Sequence, residues 1–106
     1  MANRTLYQGD YIPIVVEVKD TDGLPINLHD NVVRLYLGQD VRLKPRLVKE
    51  LTVTDAVGGV AEGEILPAEV KDFVGDYYWQ VTLTPPDGVE RILGTGRVKF
   101  WPTLQN

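Results

Sequence analysis

Apolar and polar residues alternate with a period of two through most of this chain, most clearly late in it, at residues 75–84. From Tyr77 onward the odd positions hold Tyr77, Trp79, Val81 and Leu83, whereas Gln80, Thr82 and Thr84 fill even ones. Successive side chains of a strand point to opposite faces, so this order predicts a strand with one buried and one wet face. Pro85-Pro86-Asp87-Gly88 combines fixed φ with a Gly free to take positive φ, a turn that leads into a further strand over 89–101. There Ile92, Val98 and Phe100 share a parity with Gly94 and Gly96, which predicts a bend or bulge at the glycines.

The earlier chain repeats the theme. Residues 5–10 predict a short edge strand ending at Gly9. Over 11–19 the even positions Ile12, Ile14, Val16 and Val18 are apolar, and Pro13, which lacks a ladder donor, puts that strand at a sheet edge or on a bulge. Asp20 to Pro25 is a hairpin-type turn with Gly23 at positive φ. Residues 26–28 return the chain, and 32–37 form a strand with Val33, Leu35 and Leu37 on one face and Arg34 on the other. Gly, Asp, Lys and Pro break any period over 38–46, which predicts a loop. Alternation resumes over 47–55 with Leu51 and Val53 inward, and Ala56-Val57-Gly58-Gly59 turns the chain into a weaker strand over 60–66 with Ala61 and Ile65 inward. Residues 67–73, opened by Pro67 and Glu69, predict one or two helical turns that end at Gly75.

Short strands at regular spacing with almost no helix predict an all-β fold, an antiparallel β-sandwich of about seven strands. An Ig-like topology is expected, because Gly75-Asp76-Tyr77 matches the tyrosine corner of such sandwiches, whose hydroxyl bonds to upstream backbone. The Cys pair of antibody domains is missing, and Trp79 lies on a late strand instead of an early one.

At 106 residues the chain is expected to be one domain, 1–106, with a single core. Its net charge of -4 argues against a nucleic-acid partner, which would call for a basic stripe. The nearest basic run, Arg42-Leu43-Lys44-Pro45-Arg46, is short and broken by Pro45. Without cysteine there is no disulfide or thiolate metal site, and no apolar segment is long enough for a signal peptide or a membrane span. Synthesis in a cytoplasm and no membrane partner are the expectations.

Candidate chemistry is sparse. Serine is absent and His29 is the sole histidine, so a serine triad is ruled out and His29 is expected to tether its loop. Asp10, Asp20 and Asp22 are a candidate Ca²⁺ cluster, but the bidentate Glu of an EF-hand loop is missing and a turn is the expected role. Glu62 and Glu64 share one strand face, which makes them a wet face before a glycosidase pair. Tyr7, Tyr11, Tyr36, Tyr78 and Trp101 would form an aromatic sugar platform if several share a face; core filling or interface contact is their ordinary role. No catalytic residue, cofactor or metal is expected, and Tyr11, Tyr78 and Trp101 are the candidate interaction residues.

The order of turn motifs resembles a known family. Gly9-Asp10, an apolar strand, Asp20-x-Asp22-Gly23-x-Pro25-x-Asn27-Leu28 and Val32-x-Arg34-Leu35-x-Leu37 are similar to the N-terminal domain of phage baseplate upper proteins and related Ig-like prophage tail modules. Thr54-Asp55-Ala56 before Gly59, the Gly75-x-Tyr77 step and Asp87-Gly88 continue the likeness along nearly the whole chain. The resemblance implies a non-enzymatic structural component of a tailed-phage or prophage virion, with other tail or baseplate proteins as partners and homo-oligomers as the usual state. The rival expectation is a carbohydrate-binding module that uses exposed aromatics.

Overall fold

The computed structural model describes residues 6–40 and 42–103. Seven strands follow in order: β1 (Leu6–Tyr7), β2 (Ile12–Glu17), β3 (Val32–Gly38), β4 (Leu47–Asp55), β5 (Val60–Ile65), β6 (Gly75–Thr84) and β7 (Arg91–Trp101). A 3-10 turn, Pro67–Glu69, lies between β5 and β6. The strands hydrogen-bond in the order β1-β7-β6-β3-β4-β5-β2, one mixed sheet curled into a half-barrel. Among the described residues only β1 against β7 is parallel.

Where two separate sheets were expected, β4 belongs to both halves. Its first part pairs with β3, Leu37 opposite Leu47 through Val33 opposite Leu51, and its second part pairs with β5 from Thr52 onward. A register shift between Val53 and Asp55 lets the strand turn away from β3, because an extra residue on one strand increases local bend and twist. Nine alternating residues are long enough to cross from one half to the other.

The concave side is the core. Val33, Leu35 and Leu37 of β3, Leu51 of β4, Ala61 and Ile65 of β5, Tyr77, Val81 and Leu83 of β6, and Phe100 of β7 are all buried there. Fully burying a side chain of this size stabilises by about 1.5–3 kcal/mol, so this layer is the main favourable term. Gly63 faces Leu51 so closely that a Cβ would lie 2.6 Å from a Leu51 methyl, and Gly96 leaves the same space for the Trp79 indole. Phe73 stacks on Tyr77 with centroids 4.6 Å apart, and Phe100 meets both edge-on. The Arg46 guanidinium closes this aromatic cluster from outside, 4.7 Å from the Phe73 centroid.

Several local expectations hold. Pro13 stands on β2, which is a sheet edge. Gly23 takes φ 81° in a turn whose amides at Asp22 and Leu24 both donate to Asp20 Oδ1. Others need correction. The helical piece is a single turn, within the one or two expected over 67–73, though of 3-10 type and confined to Pro67–Glu69; its Glu69 accepts from the Leu66 amide and from Lys49, and Val70 and Phe73 after it are buried. Tyr77 Oη accepts a hydrogen bond from the Arg46 side chain at 2.6 Å, where a tyrosine corner would use backbone. The bulge in β7 falls at Leu93, between Val81 opposite Gly94 and Thr82 opposite Ile92. It reverses the parity upstream, so Ile92 is exposed instead of inward. Thr5 lies outside the described residues.

Candidate functional site

Cross-strand partners project to the same face of a sheet, so the register fixes which exposed residues meet. On the convex side of β1, β7, β6 and β3 the pairs Tyr7 opposite Trp101, Asp76 opposite Lys99, Tyr78 opposite Arg97, Gln80 opposite Thr95 and Tyr36 opposite Gln80 form one continuous surface. Four of the five candidate platform aromatics, Tyr7, Tyr36, Tyr78 and Trp101, therefore share a face. Tyr11 does not: it precedes β2 on the other half of the sheet, where its hydroxyl donates to Glu64 at 2.6 Å.

Cations sit among the rings. The Arg97 guanidinium lies 5.7 Å from the Tyr78 centroid, and Lys99 Nζ 4.3 Å from that of Trp101. Such pairs contribute ~0.5–1 kcal/mol each at exposed sites. Tyr78 is 37% and Trp101 46% exposed, so both rings remain accessible. Neither Arg97 nor Lys99 has a carboxylate within ion-pair distance among the described residues.

Toward β3 this face deepens into a groove of about 520 Å³ beside Gly38, Asp40, Leu43 and Pro45. Tyr36, Gln80 and Glu90 line it with Leu43, Tyr78 and Arg97. Glu90 is held in place: its Oε2 accepts from Tyr36 Oη at 2.5 Å and from Thr82 Oγ1 at 2.6 Å. The two hydroxyls, Thr82 first, hold the Glu90 carboxyl below its ordinary value, and the same bond to Glu90 raises the Tyr36 phenol. A second cleft, about 1090 Å³, runs on the concave side between β2 and β7, floored by Leu35, Leu37, Trp79 and Val81.

The remaining candidates have structural occupations. Glu62 accepts from Thr54 Oγ1 at 2.7 Å on the wet face. Asp20 caps turn amides and Asp10 accepts from the Tyr7 amide, so they do not converge; among the described residues no three His, Asp or Glu side chains gather as metal ligands. His29 lies in an exposed loop, with its amide on Asn27 and its ring 3.4 Å from Asp30. The basic run divides, since Arg42 pairs with Asp40 at 3.0 Å while Arg46 turns to the aromatic cluster. Glu90, Gln80 and Arg97 were missed in the sequence, where nothing marks residues of β6, of β7 and of the connection between them as neighbours.

The fold and site together define an all-β half-barrel protein with an aromatic and cationic convex face. In comparison with known proteins, no family model and no curated protein matches the chain. Among the described residues no helix is long and apolar enough to cross a membrane.

Proposed function

We propose that this protein is a structural and interaction module of a tailed-phage or prophage particle, a tail or baseplate component that assembles through the convex face of β1, β7, β6 and β3. One observation supports this above all: Tyr7, Tyr78, Arg97 and Trp101 form one exposed surface. Tyr, Trp and Arg are the residue types that dominate the energetic centres of protein interfaces. Their rings and guanidinium are already ordered against one another, which lowers the entropy lost on docking. The partner is another subunit of the particle or a second copy of the chain, and the site of action is the virion.

The finer fold assignment belongs to the same proposal. Numbered along the chain, strands two, five and four are neighbours, as are three, six and seven, and these are the two strand sets of an Ig-like domain. The first strand, parallel to the last, departs from that layout by leaving the second strand's sheet. The order of turn motifs along the chain points to the same virion modules, and the role is non-enzymatic.

Light scattering across a concentration series, with the neighbouring virion gene products co-expressed in parallel, tests the assembly role. A reversible oligomer or a stable complex is expected, weakened by about 2 kcal/mol or roughly 30-fold in Trp101→Ala. A chain that stays monomeric throughout and leaves every neighbouring product unbound would sink the proposal.

A further inference from the structure

The groove beside Gly38, Asp40, Leu43 and Pro45 shares Tyr78 and Arg97 with the flat face next to it and adds polar groups of its own. At about 520 Å³ it falls within the ~300–1,000 Å³ range of small-molecule sites, and neither Tyr7 nor Trp101 is part of its lining. Leu43 and Tyr78 supply apolar walls. Gln80, Glu90 and Arg97 supply polar groups on the same lining, and the Gln80 amide and the Arg97 guanidinium donate no side-chain hydrogen bond among the described residues. Glu90 presents a fixed acceptor, because Tyr36 and Thr82 both bind Oε2 and leave Oε1 without a hydrogen bond among the described residues.

We infer that this groove binds a neutral saccharide. A sugar ring offers a C–H face to Tyr78 and Leu43 and, around its rim, hydroxyls that both donate and accept. A fixed acceptor at Glu90, open donors at Arg97 and the two-way carboxamide of Gln80 match that rim. Charge excludes anions: Glu90 and Asp40 stand against Arg97 on the lining, and Arg42 offsets Asp40 from outside it, so no net positive charge is left to hold a phosphate or carboxylate. A neutral ligand leaves the Glu90–Arg97 balance undisturbed.

The test is amide-shift and saturation-transfer NMR on the full chain, with glucose, galactose, N-acetylglucosamine, rhamnose and lactose as neutral probes and glucuronate and inorganic phosphate as anionic ones. At least one neutral sugar is expected to shift the Gln80 and Thr95 amides saturably. Gln80→Ala and Glu90→Gln each weaken that binding about tenfold or more, and Trp101→Ala leaves it in place. Glu90→Gln keeps an acceptor for Tyr36 and Thr82, and Gln80→Ala removes no structural bond, so both variants are expected to fold. The inference is overturned if no neutral sugar moves these amides, if glucuronate or phosphate is preferred, or if both variants bind as well as the parent. The outcome is separable from assembly at Trp101, which stands on the assembly surface and outside the groove lining: Trp101→Ala weakens assembly and leaves sugar binding in place.

Discussion

Gly59 and Gly23 both adopt positive φ, at 70° and 81°, yet they answer to different constraints. A Cβ on Gly23 would meet nothing within 4 Å, whereas one on Gly59 would lie 2.5 Å from the Val18 carbonyl oxygen and 2.9 Å from that of Ile26. Gly59 also accepts the Val18 amide at 2.7 Å, so its backbone is wedged between the end of β2 and the returning chain. Gly23→Ala is therefore expected to cost only the left-handed penalty, about 1–2 kcal/mol, and Gly59→Ala about 2–5 kcal/mol because overpacking adds to it. Urea denaturation of the two variants measures the difference; equal costs would mean that the close approach is relieved for nothing. Tyr77 offers a third single-residue case. It is fully buried with its hydroxyl on Arg46, so Tyr77→Phe should lose about 1–2 kcal/mol while the ring stacking persists. Near-ultraviolet circular dichroism should remain at parental strength if only the hydrogen bond has gone.

Among the elements, the β6–β7 connection carries the most electrostatics. Asp87 accepts from the Val89 amide and from Arg91 and is held below its ordinary value by both, the amide first. Glu90, two strand widths away from Tyr36 in the sheet, ties the connection back to β3. A carboxyl lowered on folding stabilises above its unfolded value, near 4.5 for Glu90, and that contribution is lost as pH falls through the folded value. Tyr36 is raised from its ordinary 10.0, so its contribution is present below that value and lost as pH rises through the folded one. Stability is thus expected to be flat from about pH 5.5 to 9 and to decline on both sides. In Glu90→Gln both limbs should flatten. Urea midpoints that keep the parental slope on either limb would show that this bond does not couple β3 to the connection. Asp40 and Glu69, also lowered on folding, steepen the acid limb in parent and variant alike.

For the whole molecule, one curled sheet leaves two outer strands, β2 and β1, and one broad convex face. Pro13 on β2 removes a donor from a ladder edge, a common guard against indiscriminate pairing, so association is expected through side chains on the face. Pro13→Val should accordingly increase nonspecific aggregation, read as turbidity on heating, without promoting the proposed assembly; a stronger discrete oligomer would shift the proposed interface to β2. The strands, their inward residues and their turns were legible, because period-two alternation and Gly or Pro punctuation are local facts. Val33, Leu35 and Leu37, or Ala61 and Ile65, need only their own neighbours in sequence to declare a face. The site was half legible. Tyr78 and Trp101 stand out as exposed aromatics, but their common face with Tyr7 and Tyr36, and the exclusion of Tyr11, depend on long-range register.

By itself the sequence determined seven alternating segments, their buried sides and the turns between them, since each of these follows from side-chain period and backbone freedom within a few residues. Tertiary structure alone decided that β4 serves both halves, that a bulge at Leu93 turns Ile92 outward, and that Glu90, Gln80 and Arg97 converge. Those outcomes rest on which strands pair and in what register, a choice made by the summed burial of the whole core and carried by no single stretch of chain.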